Sequence, residues 1–289
     1  RLVGSEMCIR DSLYVYGATS SVDFPVVNGY QSFHAGGASN ANFTFNGVHF
    51  TDQGTDIYVS KISADGHQLL ASTYIGGTMN DGINTKVSSG IYNTVESYDS
   101  LTTNYGDQFR GEIMLDSIGN CIVATCTKSV NFPLKNAFQS NNAGMQDGVI
   151  FKLTSDLDSL LFSSYYGGSN NDACYSVKVD SSGNIVFCGG TSSQNLLFTS
   201  NGLNSNFLGG KTDGFVVKLN PADNTIVNAS YIGTQHYDQA FFVEIDRNDN
   251  VFLVGQSSGG QFPIQNSNFV NTNSGQFVIK LNPTLTANL

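Results

Sequence analysis

The chain has few charged residues, and basic residues are the scarcer kind. Only 12% of its 289 residues are charged, and 13 basic against 23 acidic side chains give a formal net charge of −10. A surface of that charge repels phosphate backbones and anionic lipid headgroups, which argues against nucleic acid and anionic membranes as partners. The sequence also has no run of about 18 apolar residues, and therefore predicts no transmembrane segment.

Proline and tryptophan are scarce as well, with 5 Pro and no Trp against 31 Gly. Hydrophobic residues make up 40% of the chain and include 20 Phe and 13 Tyr, which excludes a disordered polypeptide. Many Gly, Asn, Ser and Asp clusters between short apolar runs predict an all-β fold. A composition that is low in charge and rich in Asn, Ser, Thr and Gly is common among secreted and cell-surface β proteins, so we expect an extracellular or cell-surface location.

The five cysteines contain no CxxC pair and no Cys/His spacing suited to zinc, so neither a metal nor a cofactor is expected. If Asp180 and Asn184 pair across a hairpin, Cys188 lies opposite Ser176, and Cys174 is one diagonal step away. A separation of roughly 7 Å is poor disulfide geometry. The sequence therefore predicts buried free thiols.

Residues 1–12, RLVGSEMCIRDS, match nothing later in the chain and show neither strand alternation nor a signal-peptide pattern. They resemble a translated sequencing-adaptor read-through. We therefore treat Arg1 to Ser12, including Cys8, as a non-native leader, and expect the true start with any export signal to be missing.

Four phrases recur in fixed order. Asp116, Asp180 and Asp246 open turn phrases such as DSSGN at intervals of about 65 residues. The other phrases are FVVKLNP and its relatives around Lys61, Lys152, Lys218 and Lys280; SSYYGG and its relatives around Tyr74, Tyr165 and Tyr231; and Phe-Pro at Phe24, Phe132 and Phe262. Each unit holds four short strand candidates, which is the content of one β-propeller blade.

Together these phrases resemble the SBBP family of β-propeller repeats, whose units read roughly as Y-x-G-G, apolar-V-D-x-x-G-N, V-x-G-x-T, F-P and D-A-F-V-x-K-L-N. The resemblance covers residues 13–289. It implies a propeller and, for many relatives, bacterial export, but no known activity.

In DSSGN, Asp180 can accept hydrogen bonds from the backbone of its own turn, and Gly183 supplies the positive φ that closes a short hairpin. Asp116, Gly119 and Asp246 occupy the same structural positions. The alternative, a calcium loop, would need three or more clustered oxygen ligands.

A similar phrase in NHL-type propellers joins the innermost strand to the next one, and that register assigns strands A to D. It places strand A at about 109–116, 173–180 and 240–246 and strand B at 13–19, 120–127, 184–191 and 250–257. Strand C ends at each repeated lysine and strand D at each repeated tyrosine. The predicted organisation is a partial blade 13–75 without strand A, an inserted loop 76–108, and blades 109–166, 173–232 and 239–289.

An incomplete ring suggests that the chain is a fragment of a larger propeller, and the rest of that propeller would then be a partner. A self-contained four-bladed ring is the alternative.

The long B–C loops and the first D–A connection are expected on one face of the disc, which is the candidate binding site. The candidate ligand-binding residues there are Phe33, His34, Phe43, Phe45, His49, Tyr92, Tyr98 and Tyr105. Aromatic side chains among Asn, Ser and Thr suit sugars or a protein surface. The alternative is that the phenylalanines pack the loops onto the blades.

The repeated lysines are expected on solvent-facing pleats near the preceding Asp56, Asp147 or Asp213. Asp172 and Asp238 could be paired carboxylates of a glycosidase. Their counterpart Gln108 breaks the set, and loop capping is the competing interpretation.

The sequence thus predicts a non-catalytic propeller scaffold, adhesion or ligand-binding module, with a protein or glycan at the cell surface as its partner. A polysaccharide-degrading hydrolase or lyase using the same face is the alternative.

Overall fold

The computed structural model of the chain describes residues 12–37, 54–84, 101, 109, 111–198, 201–259, 271 and 274–289, and five further short strands by their backbone alone. Its strands are β1 Glu6–Ile9, β2 Ser12–Thr19, β3 Phe43–Phe45, β4 Val48–Phe50, β5 Asp56–Ser63, β6 Leu69–Ile75, β7 Lys86–Val87, β8 Val95–Glu96, β9 Glu112–Leu115, β10 Cys121–Thr127, β11 Asp147–Leu153, β12 Leu160–Tyr166, β13 Asp172–Val179, β14 Ile185–Thr191, β15 Asp213–Asn220, β16 Thr225–Ile232, β17 Asp238–Ile245, β18 Val251–Ser257 and β19 Gln276–Leu281. The fold is all-β, as the composition predicts. No helix within the described ranges has the length and apolarity needed to cross a bilayer.

The strands form four successive antiparallel sheets in the order of a β-propeller. Blade 1 is β1-β2-β5-β6, blade 2 is β9-β10-β11-β12, blade 3 is β13-β14-β15-β16 and blade 4 is β17-β18-β19. Neighbouring strands pair antiparallel in each blade. The predicted strands A to D match these elements to within a few residues, because alternating apolar residues and turn phrases mark both ends of each strand.

Blades 2 and 3 are apolar on both faces because each packs between two neighbouring blades. In β14, Val186 and Cys188 face blade 4, whereas Ile185 and Phe187 face blade 2. We call the side toward the following blade the forward face and the opposite side the rear face. The buried layer between blades 1 and 2 includes Tyr16, Val59, Val123 and Phe151. The layer between blades 2 and 3 includes Ala124, Ile150, Phe187 and Val217, and the layer between blades 3 and 4 includes Cys188, Val216, Leu253 and Ile279.

The predicted hairpin register is correct. Ser176 pairs with Cys188, and the Asp180 backbone N–H donates to the Asn184 carbonyl at 2.9 Å. Cys121, Cys126, Cys174 and Cys188 are buried free thiols, which confirms the expectation drawn from that register.

The inserted segment lies within strand A of blade 2. Asp81 pairs with Thr127, just as Asp172 pairs with Thr191 in blade 3, and Gly82 N donates to Cys126 O, so this part of the chain occupies the start of strand A. The strand resumes at Glu112, which pairs with Ala124. In blades 3 and 4 the register shifts at the equivalent point, at Tyr175 and Phe241. The insertion therefore occupies a bulge, where the ladder is already interrupted.

Blade 1 has a strand A that sequence reasoning did not predict. Residues Glu6–Ile9 pair with Ser12–Val15, although residues 1–12 show no strand alternation. The partial blade expected at 13–75 is thus a four-stranded sheet. In blade 4, a bridge between Leu281 and Asn288 marks the start of the position that strand D occupies in the other blades.

Candidate functional site

The recurrent turns are each held by one aspartate. Asp180 Oδ1 accepts the Ser182 and Asn184 backbone N–H groups at 2.9 and 2.8 Å, and Oδ2 accepts the Asn184 side-chain amide at 2.9 Å. Asp116 and Asp246 make the same contacts. The turn closes with a positive φ at Gly119, at Gly183 and, in the third copy, at Asp249.

Three of the four repeated lysines bind these turn aspartates, whereas Lys61 binds Asp156. Lys152 Nζ lies 2.7 Å from Asp116 Oδ2, Lys218 Nζ lies 2.7 Å from Asp180 Oδ2, and Lys280 Nζ lies 3.2 Å from Asp246 Oδ2. The expected partners, Asp147 and Asp213, lie five residues earlier in strand C, roughly 16 Å away along the strand. The prediction of lysines on open pleats was therefore wrong, and Lys218 is buried.

The lysines hold the turn carboxylates ionised. Burial alone would raise the pKa of Asp116 and Asp180, but hydrogen bonds from Lys152 or Lys218 and from the turn asparagine outweigh it and keep the pKa below its ordinary value. At Asp246 the Asn250 hydrogen bond, with those of the turn backbone and Lys280, lowers the pKa to about 2.

Asp172 and Asp238, the possible glycosidase pair, are fully buried caps of their loops. Asp172 Oδ2 accepts the Gly168 N–H at 2.7 Å and the Ser193 hydroxyl at 2.8 Å, while Oδ1 accepts the Thr191 hydroxyl. Asp238 Oδ2 accepts the Thr234 N–H at 2.6 Å. Their structural counterpart in blade 2 is Asp81, which binds Gly77 and Ser129 in the same way, so Gln108 was the wrong counterpart.

A second set of buried aspartates, Asp56, Asp147 and Asp213, begins strand C of blades 1, 2 and 3 and lies beside the first set. A Cβ atom added to Gly76 would meet Asp56 Oδ1 at 2.6 Å and Asp81 Oδ2 at 2.8 Å; one added to Gly233 would meet Asp213 Oδ1 at 2.7 Å and Asp238 Oδ2 at 3.0 Å. Gly76 and Gly233 of the repeated Tyr-x-Gly phrase thus fit between two carboxyl groups, where any side chain would collide with them.

Burial raises the pKa of these aspartates. The pKa rises to about 7 for Asp56, Asp147 and Asp213, to about 8 for Asp81 and to about 6 for Asp172, with desolvation as the largest cause in each case. Asp56, Asp147 and Asp213 each bind loop backbone through Oδ2, which indicates a structural role in the blades; among the described residues their Oδ1 atoms have no hydrogen-bond partner.

The predicted ligand-binding residues are only partly placed by the structure. Phe33 is 64% exposed on the first B–C loop. His34 packs edge-on against Tyr74, with 5.7 Å between ring centroids, and burial lowers its pKa. Phe43, Phe45 and His49 lie on the hairpin β3–β4, known here by its backbone. Tyr92, Tyr98 and Tyr105 lie outside the described residues.

The B–C loops run down the outer edge of their own blades, a feature that sequence reasoning missed. Val27 pairs with Ser72 and Gln31 with Tyr74 of strand D, and Lys135 pairs with Ser163 in blade 2. The loop thereby covers an edge strand, which would otherwise expose unpaired backbone groups. A repeated phrase, NGYQS, KNAFQS and NGLNS, is the signal that could have revealed this path.

Between blades 1 and 2 this loop path leaves an open depression. The Tyr30 backbone N–H donates to Leu157 O at 2.9 Å in the C–D turn of blade 2. Two concavities lie near this contact, and Asp158 lines both of them. Their volumes are about 630 and 250 Å³. We call both together the edge groove; its lining residues are Asn28, Gly29, Tyr30, Lys61, Leu70, Ala71, Leu134, Lys135, Asp156, Asp158, Ser159 and Leu160.

The edge groove combines aromatic, apolar and charged groups. Tyr30 is 39% exposed and Leu70 37% exposed. Lys61 Nζ lies 3.0 Å from Asp156 Oδ1; burial opposes its charge, but the hydrogen bonds with Asp156 and Tyr14 outweigh burial and raise its pKa. Hydrogen bonds from Thr154 and Ser159 lower the pKa of Asp158. The groove thus places the Lys61 amino group beside the carboxyl group of Asp156, with Asp158 in the same lining.

The first strands of blades 2, 3 and 4 converge at the centre of the molecule. Lys178 binds Glu112 of blade 2 and lies 3.4 Å from Glu244 of blade 4, and Ser176 Oγ donates to Glu112 Oε2 at 2.5 Å. Leu101, from the inserted segment, is buried with Tyr175 and Phe241 of the same inner strands. Leu101 of the inserted segment thus packs against the inner strands of blades 3 and 4.

No protein-family model matches the chain, and no curated protein matches it. Among solved structures, the chain is similar to the crystal structure of a GH43_12 retrieved from capybara gut metagenome. The TM-score is 0.38 at 10% identity, over 99% of this chain and 41% of that one. The chain therefore spans about two fifths of that protein's length, and at this TM-score the likeness carries no argument about activity.

Proposed function

We propose that the chain is a non-catalytic β-propeller module of a secreted or cell-surface bacterial protein, and that it binds neutral glycans through the edge groove. The observation that carries the proposal is the open groove beside Tyr30. There the exposed aromatic ring lies in the same groove as the polar side chains of Asn28, Asp158 and Lys135. An aromatic face packs against a sugar ring, and side chains of this kind exchange hydrogen bonds with hydroxyl groups.

The repeated polar residues support a role without chemistry. The turn aspartates are ion-paired with lysines, and the aspartates that begin strands A and C hold loop backbone. On the inner strands, Lys178 joins the carboxylates of Glu112 and Glu244. These groups are engaged in holding blades and loops together.

The charge of the chain supports a neutral ligand. With a net charge of −10, long-range repulsion opposes sulfated or uronic-acid polymers, whereas an uncharged polysaccharide meets no such barrier. The low-charge composition and the resemblance of the repeats to the SBBP family support secretion or surface display.

A glycan array tests the proposal. We expect the chain to bind one or more neutral oligosaccharides, and Tyr30→Ala to weaken that binding by about tenfold or more, since stacking and burial of one aromatic ring contribute roughly 1–3 kcal/mol. Leu203→Ala is the matched control, because Leu203 holds the position of Tyr30 in blade 3 and is similarly exposed. Equal binding by Tyr30→Ala, or no binding to any neutral glycan, would refute the proposal.

Incubation of a bound glycan with the chain separates a binder from an enzyme. The proposal expects the glycan to be recovered at its original length. Release of shortened products would favour the polysaccharide-degrading hydrolase or lyase instead.

A further inference from the structure

The forward face of blade 4 is apolar and exposed. Phe242, Val254 and Val278 pair directly across its three strands and form one row on this face. Their exposed fractions are 51%, 38% and 67%. An exposed apolar row of this kind marks an interaction surface.

The same face is covered in the three preceding blades. The residues that correspond in register to Val278 are Val59, Ile150 and Val216, and each is fully buried. Those that correspond to Val254 are Tyr16, Ala124 and Cys188, which are buried as well. In every case the covering layer is the rear face of the following blade, as Val243 and Leu253 of blade 4 cover Cys188 and Val216.

A polar contact accompanies this apolar layer. Lys61 Nζ donates to Ser155 O at 3.0 Å, and Lys218 Nζ donates to Pro283 O at 3.0 Å. In both cases the strand C lysine of one blade binds the C–D turn of the next. Lys280 is the equivalent lysine of blade 4, and its side chain is 36% exposed.

We propose that the forward face of blade 4 is the docking surface for a further blade of the same repeat. The partner is defined by its chemistry: a twisted antiparallel sheet with branched apolar side chains on its rear face and a C–D turn carbonyl that meets Lys280. The interface continues one that the molecule already forms three times with the same apolar residue positions, and twice with the lysine contact. This inference is independent of the edge groove.

The test extends the chain at Leu289 with a copy of residues 162–224. The first residues of the copy continue strand D of blade 4, and the rest supplies strands A, B and C of blade 3 as a new blade. Val278→Cys is the reporter and Val227→Cys, on the exposed outer strand of blade 3, is the control, both in a Cys8→Ser background. The fused copy also carries Cys188→Ser, because this position lies on the open forward face of the new blade. We expect the thiol at 278 to react with a thiol reagent in the original chain and to be protected at least tenfold in the extended chain, while the thiol at 227 reacts in both.

A reactive thiol at 278 in an extended chain that is folded and monomeric would overturn the proposal. Protection of that thiol in the original chain, together with a concentration-dependent dimer, would also overturn it, because the occupant would then be a second copy. Val254→Cys provides a second reporter in case the substitution at 278 impairs folding.

Discussion

Lys218 Nζ and Asp180 Oδ2 lie 2.7 Å apart, and this ion pair links strand C of blade 3 to the turn between its strands A and B. The two side chains are 10% and 2% exposed, so water does little to screen the pair. The FVVKLNP and DSSGN phrases, which recur separately in the sequence, thus contact each other through this ion pair in the fold. The lysine also bonds to Pro283 O of blade 4 and so joins neighbouring blades.

Lys218→Met should therefore destabilise the chain strongly. Removing one partner of a buried ion pair leaves an uncompensated charge and costs about 3–5 kcal/mol. The free energy of unfolding in urea measures the loss. Lys280→Met is the matched control, since the Lys280–Asp246 pair is 36% and 27% exposed and should contribute less. Equal losses in the two variants would show that burial does not decide the contribution of this contact.

The spacing of a motif along the chain did not reveal its partners across the sheet. Strand positions were predictable because alternation and turn phrases act within a few residues. The partner of Lys152 is Asp116 because three antiparallel strands place them side by side, and that depends on register. Asp147 is much closer in sequence but lies at the opposite end of the strand.

The insertion in blade 2 misled sequence reasoning for a related reason. Counting back from the turn at Asp116 leads to Gln108, whereas the residue that caps the loop is Asp81, on the near side of the inserted segment. A local pattern cannot show that one strand has been divided in two. The edge groove was missed because it arises where two blades meet, although the repeated NGYQS phrase of one wall was visible in the sequence.

Gly167→Ala should destabilise the chain by about 1–3 kcal/mol, the usual cost of forcing extra atoms into a packed site. A Cβ at this position would lie 2.5 Å from Asp147 Oδ1, in a place without room for it. Gly275→Ala is the control, because its Cβ would meet only Ser257 O at 3.4 Å. Urea denaturation of both variants checks the prediction, and a neutral Gly167→Ala would contradict it.

The four described thiols should be unreactive in the native state. Cys121, Cys126, Cys174 and Cys188 are fully buried, and burial raises the pKa of the Cys121, Cys126 and Cys174 thiols, to about 12 for Cys126. A Cys8→Ser variant treated with a thiol reagent should show no rapid reaction in buffer and four reactive groups in denaturant. A reducing agent should leave the unfolding midpoint unchanged; a lower midpoint would point to a disulfide.

Stability should fall as the pH rises from 5 to 8. The pKa values of about 8 for Asp81 and about 7 for Asp56, Asp147 and Asp213 exceed the ordinary value of 3.8. Between these values the folded state binds more protons than the unfolded state, so the stabilisation present at low pH is lost as pH rises through the folded pKa. One pKa unit on one group corresponds to about 1.4 kcal/mol, and we expect at least this loss in urea denaturation.

The turn aspartates act in the opposite direction and set the acid limit of the stable range. The pKa values of Asp116, Asp180 and Asp246 are lowered, so their contribution is present above the unfolded pKa and is lost as pH falls through the folded value. Stability should therefore peak in the mildly acidic range. Asp81→Asn removes a buried titrating group with little change of shape, and should flatten the decline between pH 5 and 8. An unchanged slope in that variant, or a parent chain more stable at pH 8 than at pH 5, would show that these carboxyl groups are ionised in the folded chain at neutral pH.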